Sequence, residues 1–297
     1  MSKVLVFGAS PLPIENEKII YGPGIRTWQF IKPLIGDKHA VCLISMRSGG
    51  PDDSCKPWNF DTAHGFEHHA FTEEGLKDLN PVESVVDQFG PDCVISISSS
   101  YISRVAAQLD IPRPIWFDRG DMMAEAQLMA YNERDNAILR QLYEVEKTIL
   151  GRSDVFSTVS FGQKCALIGE LGVAGRMSRE TLGYEFVHVI PCGIEKGAYA
   201  RREAVLRGKI VSKDDFVVLW SGGYNAWADV DTLFKGLEAA ISSNRKIKFV
   251  STGGAIDNRN NPVFNRFLDM IRSSAHKNHY IMLGWLPRDS LYQAYLE

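Results

Sequence analysis

Short apolar runs alternate with longer amphipathic stretches over the first two-thirds of the chain. The runs fall at 4–7, 40–44, 93–97, 114–117, 155–159 and 187–190. Each has the length and unbroken apolarity of a strand buried on both faces, as in a parallel sheet. Helical patterns lie between them at 81–88, at 103–109 and over one long stretch, 124–150. This alternation predicts a doubly wound parallel sheet. A charged, apolar-poor stretch follows at 195–215. The pattern then restarts with a strand at 216–220, a Gly-Gly turn, a helix from about 229 to 242 and a strand at 247–251. A second Gly-Gly turn, a helix near 264–274, a strand at 280–283 and a helix from about Pro287 complete it. The predicted class is α/β, with two Rossmann-like doubly wound parallel-sheet domains at 1–195 and 215–297 and a linker at 196–214. The second domain offers three clear strands, and its last helical pattern, ending Tyr295-Leu296-Glu297, has no C-cap signal. That domain is therefore expected to be incomplete.

Composition narrows the class. A length of 297 residues fits two domains of ordinary size. With 45% hydrophobic and 23% charged residues the chain is globular rather than disordered. The net charge of -3 gives no basic excess for nucleic acid. No basic run marks a membrane surface, although a local patch formed in three dimensions leaves room for peripheral membrane contact. No stretch has the length of a membrane span, and the start, MSKVLVFGAS, lacks a signal-peptide pattern. Cys42, Cys55, Cys93, Cys165 and Cys192 are scattered without a CxxC spacing. This predicts reduced thiols in a cytoplasmic protein, with neither zinc site nor disulfide framework. His64, His68, His69, His276 and His279 show no metal spacing, and adjacent His68 and His69 on a strand would face opposite sides.

Candidate chemistry gathers after the strands, where parallel α/β sheets bind ligands. After the first strand runs an unusually long loop in which Gly22-Pro23-Gly24 opens a helix carrying Arg26 in its first turn. A Gly-rich helix N-terminus suits phosphate. The same residues also fit a tight turn with an ordinary surface arginine. Asp118, Arg119 and Asp121 follow the buried strand at 114–117. Asp118 suits a site edge, and Asp121 fits either catalysis or an N-cap. Ser160 divides in the same way between helix cap and cleft residue. In the second domain, Ser221-Gly222-Gly223-Tyr224-Asn225-Ala226-Trp227 and Thr252-Gly253-Gly254 are turns that let backbone approach a phosphate or sugar.

Several segments, in order along the chain, resemble family-4-type glycosyltransferases of the GT-B fold. Gly22-Pro23-Gly24-Ile25-Arg26 looks like the Gly-rich turn of their first helix. Glu144-Val145-Glu146, Ser153-Asp154-Val155 and Thr158-Val159-Ser160 resemble a recurrent Glu, Ala-Asp and Val-Ser pattern. Val189-Ile190-Pro191-Cys192-Gly193-Ile194-Glu195 is similar to their Val-Ile-Pro-Asn-Gly-Val-Asp. Gly284-Trp285-Leu286-Pro287, with Leu291-Tyr292, resembles the segment near the nucleotide base. The resemblance implies retaining transfer from a nucleotide-sugar, used as co-substrate without further cofactor or essential metal. The acceptor would be a glycan, a lipid-linked group or a small molecule. The catalytic candidates are Asp118 and Asp121. The donor and phosphate candidates are Gly22, Gly24, Arg26, Gly222, Gly223, Asn225, Trp227, Gly253, Gly254 and Trp285. The chain departs from the family in three ways. The 223–229 stretch lacks the diphosphate-holding bases, no histidine follows the strand ending at Asp118, and the sequence ends before the place where the family's Glu-x7-Glu segment lies. A nucleotide-sugar epimerase on the same scaffold, with Asp118 and Asp121 as acid and base, and a non-catalytic nucleotide-binding fragment are the alternatives.

Overall fold

The computed structural model describes residues 1–15, 17, 20–47, 58–61, 65–97, 100–120, 122–194, 200–256 and 261–297. The chain divides into two compact units, Met1–Ile194 and Glu195–Glu297, each with its own sheet and core.

In the first unit the elements run β1 (Lys3–Ser10), α1 (Gly22–Gly36), β2 (Ala40–Arg47), β3 (Trp58–Asp61), β4 (Glu67–Phe71), α2 (Asn80–Phe89) and β5 (Cys93–Ile97). They continue with α3 (Ser100–Gln108), β6 (Ile115–Asp118), α4 (Met122–Glu133), α5 (Ala137–Arg152), β7 (Val155–Thr158), α6 (Phe161–Val173) and β8 (Val187–Val189). The sheet order is β3-β4-β2-β1-β5-β6-β7-β8. Every pairing is parallel except β3 with β4. The alternation of side chains along β1 divides the core. Leu5 and Phe7 join Ile44, Ile102, Phe117 and Ile149 on one face. Val4 and Val6 join Trp28, Ile31 and Leu43 on the other. α1 thus covers one face while α2, α3 and α5 cover the opposite one.

The second unit runs β9 (Phe216–Trp220), α7 (Val230–Ser243), β10 (Ile247–Ser251), α8 (Pro262–Ser273), β11 (Tyr280–Met282) and α9 (Arg288–Tyr295). Its three strands are parallel in the order β11-β10-β9. Phe249, Phe267, Tyr280 and Tyr224 form an aromatic core with Leu237 and Ile241 of α7. Among the described residues no helix is long and apolar enough to cross a membrane.

Three expectations are corrected. The predicted helix 124–150 is two helices. Arg134 enters the left-handed region at φ 56, and Asp135 N–H bonds back to the Ala130 carbonyl at 3.1 Å. Asp135 Oδ1 then accepts from Ala137 N–H at 2.9 Å, which starts α5. This is a Schellman-type ending followed by an Asx start. Next, β3 and β4 lie outside the predicted runs, because these outer strands carry charged and polar residues. Finally, the described part of the predicted linker belongs to the second unit. Leu206 and Val211 are buried against Val250 and Ala294, and the Glu297 carboxylate accepts backbone N–H bonds from Val205, Leu206 and Arg207.

Candidate functional site

In the first unit the polar residues converge at the carboxyl ends of β1, β6 and β7. The N-terminus of α1 is bound to the end of β1. Thr27 Oγ1 accepts from Ala9 N–H at 3.0 Å and donates to the Pro23 carbonyl at 2.9 Å. Gly24 has no room for a side chain, since a Cβ there would stand 2.3 Å from the Pro11 carbonyl oxygen. The loop after β1 therefore lies directly on this turn, and Gly24 is needed for close approach of backbone to backbone.

That seating buries Arg26 and turns it inward. Its guanidinium makes a two-pronged pair with Asp118, Nε to Oδ2 at 3.0 Å and Nη2 to Oδ1 at 2.9 Å. Nη2 also donates to the Ile190 carbonyl at 2.7 Å, and Nη1 to the Pro191 carbonyl at 2.9 Å. The Phe30 ring lies 4.8 Å from the guanidinium carbon. Asp118 Oδ1 further accepts from Ser157 Oγ at 2.6 Å, and that hydroxyl accepts from Trp116 Nε1 at 2.9 Å. Arg26 is 6% and Asp118 2% exposed. The pair is thus a desolvated, hydrogen-bonded frame that ties α1 to β6, β7 and the segment after β8. The bland surface-arginine alternative for Arg26 is overturned. Its phosphate role is also constrained, because four bonds to this frame occupy most of the five guanidinium donors. Gln29 Nε2 adds a bond to the Gly193 carbonyl at 2.7 Å.

Arg119 points away from Asp118 and forms a buried pair with Glu146 of α5. Asp121 lies outside the described residues. Ser160 is the cap of α6, its Oγ accepting from Gln163 N–H at 3.2 Å. A buried polar chain that no sequence motif marks crosses β1, β2 and β4. Ser10 Oγ meets Ser45 Oγ at 2.8 Å, and Ser45 Oγ meets His68 Nε2 at 2.9 Å. Burial, reinforced by the Arg47 charge, holds the His68 imidazole down at about 3, so it is neutral and serves as a hydrogen-bonding partner rather than a base near neutral pH.

In the second unit the two Gly-Gly turns pack on each other. Gly222 adopts φ 118, and a Cβ on Gly253 would sit 1.7 Å from the Gly222 carbonyl oxygen. Tyr224 N–H bonds to the Gly254 carbonyl at 3.2 Å, and Trp285 Nε1 to the Ala255 carbonyl at 3.0 Å. Gly222, Gly223, Gly253, Gly254 and Trp285 therefore share one cluster at the carboxyl end of β9 and β10. Asn225 closes a turn by accepting from Ala228 N–H at 3.0 Å, and Trp227 is 56% exposed. The stretch 222–227 is a turn that precedes the helix. α7 begins at Val230, and the Asp229 carboxylate caps it by accepting from Thr232 N–H at 3.0 Å. Tyr224, not singled out from sequence, is fully buried. It stacks on Trp220 at 5.1 Å and bonds to Ser251 Oγ at 2.9 Å.

One group with metal-ligand chemistry occurs among the described residues, at Cys42, Glu67 and His69. It is far from any sequence motif and is assembled by the pairing of β2 with β4.

Two successive units of parallel strands and covering helices, with polar turns gathered at the strands' carboxyl ends, define the GT-B class of α/β fold. No protein-family model matches the chain, and no curated protein matches it. Solved structures do. A sucrose-phosphate synthase from Thermosynechococcus elongatus matches with a TM-score of 0.67 at 12% identity, over 99% of this chain and 73% of its own. A UDP-forming alpha,alpha-trehalose-phosphate synthase from Burkholderia vietnamiensis matches with a TM-score of 0.65 at 10% identity, over 99% and 76%. A UDP-GlcNAc 2-epimerase from Neisseria meningitidis, bound to UDP-GlcNAc, matches with a TM-score of 0.51 at 12% identity, over 98% and 74%. At these identities the likeness is one of fold.

Proposed function

We propose that the chain is a glycosyltransferase that moves a sugar from a nucleoside-diphosphate-sugar to an acceptor, with retention at the anomeric carbon. The observation that carries this reading is the extent of the fold likeness: 99% of the chain, across both units, matches the sucrose-phosphate and trehalose-phosphate synthases. In this reading the backbone of Gly222, Gly223, Gly253 and Gly254 approaches the donor phosphates, and Trp285 lies by the base. Gly22, Gly24, Arg26 and Asp118 shape the first unit's strand ends, where the acceptor would be held. Asn225 and Trp227 flank the donor turn. Asp121 stays a candidate for the reacting centre on its sequence position alone. Catalysis would come from orienting the acceptor hydroxyl and from backbone dipoles on the departing diphosphate.

A nucleotide-sugar epimerase is the second reading, favoured by the likeness to the UDP-GlcNAc 2-epimerase. It needs carboxylates free to trade protons, whereas Asp118 is bound by Arg26 and Ser157. Incubation with a panel of nucleotide-sugars, with and without sugar-phosphate and glycan acceptors, tests the proposal. Proton NMR of the products then separates the readings. A new glycoside with the donor's anomeric configuration supports it. Inverted product removes retention, an epimerised nucleotide-sugar moves the chain to the second reading, and binding without turnover leaves a nucleotide-binding protein.

A further inference from the structure

Cys42 lies in β2 and Glu67 and His69 in β4, which pair in parallel with Cys42 opposite Glu67 and Ile44 opposite His69. Cross-strand partners share a face, and so do residues two apart along a strand. All three side chains therefore emerge on the same side of the sheet. A Cys42 sulfur, a Glu67 oxygen and a His69 nitrogen all lie within 4.8 Å of one another. Nothing in the proposed sugar transfer uses them, and they stand apart from the strand-end residues of Asp118 and Arg26.

We propose that Cys42, Glu67 and His69 form a binding site for a divalent cation of zinc type. Thiolate and imidazole together select borderline-soft metals over magnesium or calcium. The burial gradient suits entry: Cys42 is fully buried, the His69 side chain is 21% exposed and the Glu67 side chain is 62% exposed. The metal would enter past Glu67, and water would complete a tetrahedral shell. Metal–ligand bonds of about 2.0–2.3 Å put tetrahedral ligands roughly 3.3–3.8 Å apart. Closing the group from its present spacing asks for about 1 Å of movement, which the solvent-facing Glu67 can supply. On binding, the Cys42 thiol proton passes to solvent and a sulfur–metal bond replaces the S–H bond. Binding therefore releases a proton and tightens as pH rises. The result would be a clip between β2 and β4, next to the β3 edge of the sheet.

The test uses the full chain, reduced and stripped with a chelator, titrated with cobalt(II) and followed by absorbance. The expected result is one equivalent bound with a thiolate-to-cobalt charge-transfer band in the near ultraviolet, bleached by added zinc. Cys42→Ser abolishes the band. Because that variant touches the core, His69→Gln and Glu67→Gln at the more accessible positions provide the second arm. Each weakens cobalt binding more than about tenfold, beyond the smallest loss expected for an outer-shell partner, with unchanged far-ultraviolet circular dichroism. No charge-transfer band, or a band undiminished in Cys42→Ser and His69→Gln, overturns the proposal.

Discussion

Replacing Asp118 with asparagine separates a framework role from a reacting one. Asparagine keeps the shape of the side chain but removes its charge, and it presents a donor where Asp118 accepts. The oxygens at stake take bonds from Arg26 at 2.9 and 3.0 Å and from Ser157 at 2.6 Å. Removing one partner of a buried ion pair costs about 3–5 kcal/mol. Arg26 would keep the Ile190 and Pro191 carbonyls, so the lower end, about 3 kcal/mol, is expected. For a unit of this size that lowers the melting temperature by roughly 6–12 °C. Arg26→Met should lose a similar amount. Arg26→Met with Asp118→Leu should return to within about 1–2 kcal/mol of wild type, because no charge is left unpaired. Urea unfolding of the four proteins, with hydrogen exchange of β6 and β7 as a local readout, measures these differences. The framework argument fails if Asp118→Asn melts within about 2 °C of wild type. If turnover also falls at least about a hundredfold with that melting point unchanged, Asp118 belongs at the reacting centre instead.

Further expectations come from single contacts. His68, held down at about 3 in the fold, takes up its proton near pH 6.5 in the unfolded chain. Stability of the first unit should therefore fall as pH drops from about 6.5, by on the order of 3 kcal/mol at pH 4, and His68→Gln should flatten that slope in pH-dependent urea unfolding. Gly253→Ala would place a methyl 1.7 Å from the Gly222 carbonyl oxygen. It should destabilise the second unit by about 1–3 kcal/mol or more and weaken nucleotide-sugar binding by calorimetry, whereas Gly236→Ala, where a Cβ meets nothing within 4 Å, should do neither. Ser160→Ala removes the α6 cap and should cost about 1 kcal/mol without changing turnover; a loss of turnover would return Ser160 to the site.

The strands legible in the sequence are unbroken apolar runs. β1 and β5 stand out because all but their first positions are buried and apolar or small; β9 shows the same kind of run although it lies at the sheet edge and is only partly buried. β4 reads Glu67-His68-His69-Ala70-Phe71 and hides because it mixes roles. One face supplies Glu67 and His69, while the other carries a histidine satisfied by Ser45. The division of 124–150 into two helices escaped for another reason. Helical periodicity carries through Asn132-Glu133-Arg134-Asp135-Asn136, and only the polar run marks the left-handed turn at Arg134.

The candidate site was legible in position but not in partnership. Strand-end location picked out Arg26, Asp118 and the paired glycines, because a parallel sheet brings those ends to one edge. Nothing local in the sequence couples Arg26 to a carboxylate 92 residues away, or Cys42 to His69. Such pairs exist only once strand order and register are set. The Arg26 bond network also bears on the missing bases at 223–229. On the proposed transferase reading, with Arg26 spent inside the first unit and no lysine or arginine at 222–229, the negative charge of a donor diphosphate would be met largely by backbone N–H groups. The glycine geometry fits that requirement. Gly222 carries the positive φ that lets the turn fold onto Gly253, and Gly253 permits an approach too close for any side chain. A donor site built on backbone dipoles in a partly buried turn is less salt-dependent than one built on exposed side-chain charges. Nucleotide-sugar affinity should accordingly change less than about threefold between 0.05 and 0.5 M salt. A loss of tenfold or more would mean that side-chain cations hold the diphosphate, and would move the search for them beyond the two Gly-Gly turns.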